Sequence, residues 1–264
     1  MTDIGLTSEL TAPLPPSGQI PLIGFGTWQL RGDEARQAVS WALEAGYRHI
    51  DTATGYGNEQ QVGAALADSG VPRDQVFVTT KLPPDHVGRE RRTLRESLDN
   101  LGVDYLDLWL IHWPPNGTPG EDSWKVFVEA QGEGLVRNIG VSNYSLDQID
   151  TLTNATGVTP AVNQIKWSPF LFDRSLLDAS RKRGVVVEGY SPFRAAKLDH
   201  PELTQIAEKY GKTVPQVIMR WHVQRGIVVI PKSAQRERIE SNIDIFDFEL
   251  SADELNAVDH LTEA

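Results

Sequence analysis

Short apolar runs alternate along the chain with longer stretches in which apolar positions recur every three or four residues. The short runs read as strands: Leu22–Phe25, Tyr47–Thr52, Val76–Lys81, Tyr105–His112, Arg137–Val141, Ala161–Ile165, Val185–Tyr190 and Ile227–Ile230. Many are nearly continuous in Val, Ile and Leu, the composition of strands buried on both faces. The stretches between them have helical spacing. In Asp33–Ala45, the residues Ala35, Ala38, Val39, Ala42 and Leu43 share one face, with Asp33 placed to cap and Gly46 to stop the helix. Ser145 with Gln148, Thr213 with Gln216, and Ser251 with Glu254 have capping-box spacing, and each opens a helix where the alternation requires one.

Eight strands, each followed by a helix, predict an α/β protein built as a (β/α)8 TIM barrel, with extra helices at Val214–Gln224 and Ala252–Leu261 around the last strand. Beyond a Pro-rich lead from Pro13 to Pro21 no linker divides the chain, so residues 1–264 read as one domain. A doubly wound sheet is the rival architecture. It would announce a dinucleotide with G-x-G-x-x-G after its first strand, whereas Gly24-Phe25-Gly26 runs on into Thr27, Trp28 and Gln29 without a third glycine.

Barrel chemistry gathers at the carboxyl ends of the strands, which here carry Asp51 and Tyr56, Lys81, and His112. A phenol with a reference pKa of about 10 exchanges protons poorly near neutrality, and an adjacent ammonium is expected to pull that value down. Lys81 offers the ammonium, Asp51 would keep it protonated and oriented, and His112 could hydrogen-bond a carbonyl oxygen beside the phenol. His49 lies two residues before Asp51, on the same side of the strand but deeper, and reads as an interior histidine. Trp28 and Trp113, beside strand ends, read as walls of a substrate pocket.

Composition removes other classes. With 36 acidic against 25 basic side chains the net charge is −11, which repels phosphate backbones, so nucleic acid is not an expected partner. The absence of cysteine excludes disulfides, thiolate catalysis and Cys-ligated zinc. No H-x-H or H-E-x-x-H occurs, so no metal is expected. The apolar stretch Leu106–Trp113 is too short to span a bilayer, and Met1–Thr11 has no basic segment ahead of an apolar run. The expectation is a cytoplasmic protein without a membrane partner, and a monomer.

These residues resemble the aldo-keto reductases. Asp51-Thr52-Ala53 with Tyr56, Asn58 and Glu59, Thr80-Lys81-Leu82, and Ile111-His112-Trp113-Pro114 are similar to that family's Asp/Tyr, Lys and His motifs. The resemblance runs from about Ile20 to Leu261 and is nearest to bacterial members of the 2,5-diketogluconate reductase type. It implies NADPH-dependent reduction of an aldehyde or ketone with Tyr56 as general acid, NADP as cofactor and a small carbonyl compound as substrate. It also implies a nicotinamide-carboxamide site at Ser142, Asn143 and Gln164, stacking at Tyr190 with Ser191, and an adenosine-phosphate site at Lys232, Ser233, Arg238 and Asn242.

The chain departs from the family pattern at Pro83-Pro84, where Trp often follows, at Phe193-Arg194, at Ser241, and in ending at Ala264. An open, weakly discriminating pocket is the expectation. An NADP-binding regulatory module with slow turnover, and a phosphate-sugar isomerase or hydrolase on the same fold, stand as alternatives.

Overall fold

The computed structural model of the chain describes residues 11–15, 18–194 and 197–261. A short antiparallel hairpin, β1 (Thr11–Pro13) and β2 (Gln19–Pro21), precedes eight parallel strands: β3 (Phe25–Gly26), β4 (His49–Asp51), β5 (Phe77–Leu82), β6 (Leu106–Ile111), β7 (Val136–Ser142), β8 (Val162–Lys166), β9 (Val186–Tyr190) and β10 (Val228–Ile230). They neighbour one another in chain order. The sheet closes on itself through the residues just before β3. Gly24 N–H donates to the Val229 carbonyl and Val229 N–H to the Leu22 carbonyl, both at 2.9 Å, and Gly26 N–H reaches Pro231 at 3.0 Å. The fold is the (β/α)8 barrel that the alternation predicts.

Six helices follow the first six barrel strands: α1 (Gly32–Glu44), α2 (Glu59–Asp68), α3 (Glu90–Leu101), α4 (Glu121–Gly132), α5 (Leu146–Thr156) and α6 (Arg174–Lys182). Between β9 and β10 come α7 (Pro201–Tyr210) and α8 (Val214–Gln224), and after β10 come α9 (Arg236–Ile243) and α10 (Ala252–Asp259). The apolar face of α1 buries Ala35, Ala38, Val39, Ala42 and Leu43, the five residues its spacing selects. Its start differs from the expectation. Arg31 occupies the cap without a side-chain bond, and Asp33 sits in the first turn, where its charge still favours the positive end of the helix. The capping boxes at Ser145, Thr213 and Ser251 all form.

The hairpin spans Thr11 to Pro21, over the start of and through the Pro-rich lead, where no strand is predicted. Leu14 and Ile20 are buried, and Gly18 approaches the Asn138 side chain of β7 while Pro15 approaches Gly184 before β9, so the hairpin lies under the amino ends of the strands. Every residue of β5 and β6 is buried, packed inside the barrel or beneath the helices. A second apolar cluster, with Trp167, Leu177, Leu203, Ile218 and Trp221, ties α6, α7 and α8 to the barrel wall. The opposite end, where the strands finish, is left open to hold a site.

Candidate active site

The predicted relay residues come together at the carboxyl ends of neighbouring strands. Asp51 ends β4, and the chain then turns through a single 3-10 turn, Thr54–Tyr56, closed by Gly57 at φ +64. Asn58 fixes that turn to the preceding loop: its amide donates to the carbonyls of Thr27 (2.9 Å) and Leu30 (3.1 Å) and its oxygen accepts from Thr52 (2.7 Å). Glu59 accepts from Thr80 at 2.7 Å. Two residues of the Asp/Tyr motif are thus scaffold for the other two.

Lys81 is fully buried, and its ammonium donates to both oxygens of Asp51 (2.6 and 2.8 Å) and to the Thr52 carbonyl (2.8 Å). The Gln164 amide donates to Asp51 Oδ2 at 2.8 Å. For Asp51, burial outweighs the pull of Lys81 and of the Gln164 amide, so its pKa is raised above the ordinary carboxylate value. Burial works against the charged lysine; the opposing pull of Asp51 and Tyr56 outweighs it and raises the Lys81 pKa.

The Lys81 ammonium lies 5.1 Å from the centroid of the Tyr56 ring, and the His112 ring meets Tyr56 edge-on at 5.7 Å. The Tyr56 hydroxyl corrects an expectation. Burial raises its pKa more than Lys81 lowers it, and Asp51 adds to the rise, so the net direction is up. At the floor of the cavity the group therefore stays a phenol at neutral pH, with the Lys81 charge opposing the rise. His112 is held neutral, its pKa lowered to about 3 by burial and then by the Lys81 charge.

A cavity of about 680 Å³ opens over these groups, in the range of small-molecule sites. Trp28 and Trp113, both more than 40% exposed, stand in its wall with Pro83, Pro84 and Phe193. Across from Tyr56, Ser142 donates to the Gln164 carbonyl (2.8 Å), Asn143 donates to the His112 carbonyl (3.2 Å), and the Tyr190 hydroxyl donates to Asn143 Oδ1 (2.9 Å). Among the described residues, the non-glycines with positive φ are Gln29, Asn116, Asn143 and Ser191; all but Asn116 line this cavity. Strained backbone of this kind concentrates where a loop must present groups to a ligand.

Lys232 lines the cavity. Ser233, Arg238 and Asn242 lie outside its lining, on the segment that leads into and along α9. Arg238 is exposed and makes no ion pair among the described residues, whereas Arg236 beside it engages Glu44 and Glu240. The Ser233 hydroxyl is occupied by the Gln235 backbone at the start of α9. Pattern reading missed two features. One is Arg194, whose guanidinium lies 5.1 Å from the Trp28 ring centroid across the cavity mouth. The other is Glu188, a buried carboxyl below the relay, which a charged residue amid the apolar run Val185–Tyr190 could have signalled.

No cluster of three or more His, Cys, Asp or Glu side chains suited to a metal occurs among the described residues, and no described helix is long and apolar enough to cross a membrane.

Residues 22–263 match the model of the aldo/keto reductase family, and the chain belongs to that family. An aldo-keto reductase of Mycobacterium tuberculosis strain H37Rv is 47% identical over 268 residues, covering 98% of this chain and 95% of its own. One from Mycolicibacterium smegmatis is 45% identical over 249 residues, covering 93% and 90%. Among solved structures, an aldo/keto reductase of Brucella melitensis superposes with a TM-score of 0.91 at 43% identity, covering 95% of this chain and 98% of that one. A Bombyx mori aldo-keto reductase in complex with NADP gives 0.86 at 38%, covering 95% and 92%. The protein is accordingly an oxidoreductase of carbonyl compounds.

Proposed function

We propose that this protein reduces aldehydes or ketones to alcohols with NADPH, and that Tyr56 is the general acid. The observation that carries the reading is the placement of a half-buried phenol and a neutral imidazole at the floor of one cavity, with the Lys81–Asp51 pair directly behind them.

The residues present fit a nicotinamide dinucleotide. Tyr190 offers a half-exposed ring, Ser142, Asn143 and Gln164 form a polar wall opposite Tyr56, and Lys232 and Arg238 carry cations without carboxylate partners among the described residues. The first four would hold the nicotinamide end, with Ser191 beside Tyr190; Lys232, Ser233, Arg238 and Asn242 would hold the adenosine phosphate. When bound, the cofactor supplies the hydride. The chain's own task is at the substrate oxygen. His112 orients that oxygen by a hydrogen bond, and Tyr56 passes its proton to it as negative charge develops. Lys81 stabilises the resulting phenolate, and Asp51 holds Lys81 in place. Donors preset around the oxygen favour the transition state over the ground state.

Trp28 and Trp113 flank the substrate, and Pro83-Pro84 adds a low, non-aromatic wall. We read the preferred substrates as small aldehydes and dicarbonyls, keto sugars of the 2,5-diketogluconate kind included, acted on by a monomer in the cytoplasm. The test is NADPH oxidation across such carbonyls by wild type and Tyr56→Phe. Turnover should fall by about 10² to 10⁴-fold while NADPH affinity holds. A Phe variant with wild-type turnover under conditions where chemistry limits would remove Tyr56 from this role.

A further inference from the structure

One buried acid plays no part in the reaction just described. Glu188 sits on β9 with its side chain fully buried, and neither of its carboxylate oxygens has a hydrogen-bond partner among the described residues. Facing it are His49 and Asp51 from β4, Lys81 from β5 and the uncharged Gln164 from β8; Val228 of β10 is its apolar neighbour in register, and His222 of α8 meets the outer side of β9 at Gly189. His49 Nε2 is 3.7 Å from Glu188 Oε1, and the same nitrogen lies 3.1 Å from the Thr79 hydroxyl. The other ring nitrogen is turned to Gly24, where an added Cβ would come within 2.6 Å of it.

This chamber is poor in donors for a carboxylate: the Lys81 charge and the Gln164 amide favour the anion, but burial and the Asp51 charge outweigh them. Lys81 spends its hydrogen bonds on Asp51 and the Thr52 carbonyl, Gln164 gives its amide to Asp51, and His49 is neutral, its pKa lowered to about 3 by burial. A buried carboxylate without donors is costly, whereas a neutral carboxylic acid carries its own donor and can turn it toward His49 Nε2. Resting on the reductase reading, we infer that Glu188 is a positioning residue of the relay: held as the neutral acid beside His49, it leaves Asp51 as the sole counter-ion of Lys81, so that the ammonium's field stays on Tyr56. Ionisation of Glu188 adds a second anion behind Lys81. The phenolate of Tyr56 is then harder to form, and proton delivery slows. Burial, and then the nearby Asp51 charge, push the Glu188 carboxyl up to about 8, which puts this event on the alkaline side of neutrality.

The test compares the pH profile of kcat/KM for wild type and Glu188→Gln, which keeps the shape and a donor but cannot ionise. Wild type should lose activity through an inflection near pH 8 that the Gln variant lacks. The ratio of activity at about pH 9 to that at about pH 6.5 should be roughly three- to tenfold higher in the variant. A uniform loss across pH, or an unchanged inflection, would mean a merely structural role and overturn the inference. If the variant does not fold, infrared titration of the wild type decides. A protonated-carboxyl band should be present at neutral pH and bleach on alkalinisation; its absence at neutral pH overturns the inference. Should wild type oxidise no NADPH with any carbonyl, the reductase reading falls, while the infrared band still reports the state of Glu188.

Discussion

Lys81→Met removes the buried cation beneath the cavity while leaving its volume nearly filled. Three hydrogen bonds disappear: two to the Asp51 carboxylate at 2.6 and 2.8 Å and one to the Thr52 carbonyl at 2.8 Å. The Asp51 carboxylate is 3% exposed, so it cannot recruit bulk water in compensation. Breaking a buried pair from one side costs about 3–5 kcal/mol, because the surviving charge loses its partner and keeps its desolvation. In the variant the Asp51 carboxyl keeps the upward push of burial and loses the downward pull of Lys81, so its folded pKa rises further. A carboxyl raised in the folded state contributes its full stability below the unfolded value of about 4 and loses it as pH rises through the folded value. The deficit measured by urea unfolding should therefore be largest at neutral pH and shrink towards pH 4. Adding Asp51→Leu should recover most of it, since an apolar pair of similar volume tolerates the site. A single variant as stable as wild type at neutral pH, or a deficit that deepens in acid, would refute this account of the pair.

Two further outcomes follow from other parts of the molecule. A Cβ on Gly140 would stand 2.6 Å from the Val162 carbonyl oxygen and 2.8 Å from Leu110, so Gly140→Ala must part β7 from β8. It should cost about 1–3 kcal/mol in urea unfolding and weaken cofactor binding through Ser142 and Gln164, as titration calorimetry would show. Arg238→Met should weaken NADPH binding by about tenfold or more and leave NADH nearly unchanged, with the wild-type preference declining as salt screens the exposed cation. Equal losses for both nucleotides would take Arg238 out of 2′-phosphate recognition.

Much of the architecture is written in local pattern. The apolar stripe of α1 and the three capping boxes are short-range signals, and each forms where its spacing places it. The relay residues were legible because a barrel aligns strand ends: Asp51, Lys81 and His112 need only their strands to be correctly phased to meet. What escaped depends on distant partners. The hairpin strands are three residues long and owe their order to the barrel end they cover, while Pro13, Pro15 and Pro21 argue locally against a sheet. The upward direction at Tyr56 follows from burial, which no spacing of charges along the sequence reports. The charge of Glu188 stands out in the apolar run Val185–Tyr190, but its neighbour His49 comes from β4 across the interior, which the sequence does not show.

The seam of the barrel has a consequence for how the protein comes into being. Gly24 and Val229, which bond across it, are 205 positions apart (229 − 24). Loop entropy makes so distant a junction only modestly more expensive than a nearer one, each doubling of length adding about 0.6 kcal/mol, but it delays the pairing. Trp28 stands just past the seam on one side and Lys232 on the other. During synthesis, then, Asp51, Tyr56, Lys81 and His112 can gather well before the cleft acquires its second bank. A ribosome-bound chain that ends before β10 lacks Ile230, Lys232 and the strand that bonds to Gly24, so the lining of the cavity is complete only with the last strand.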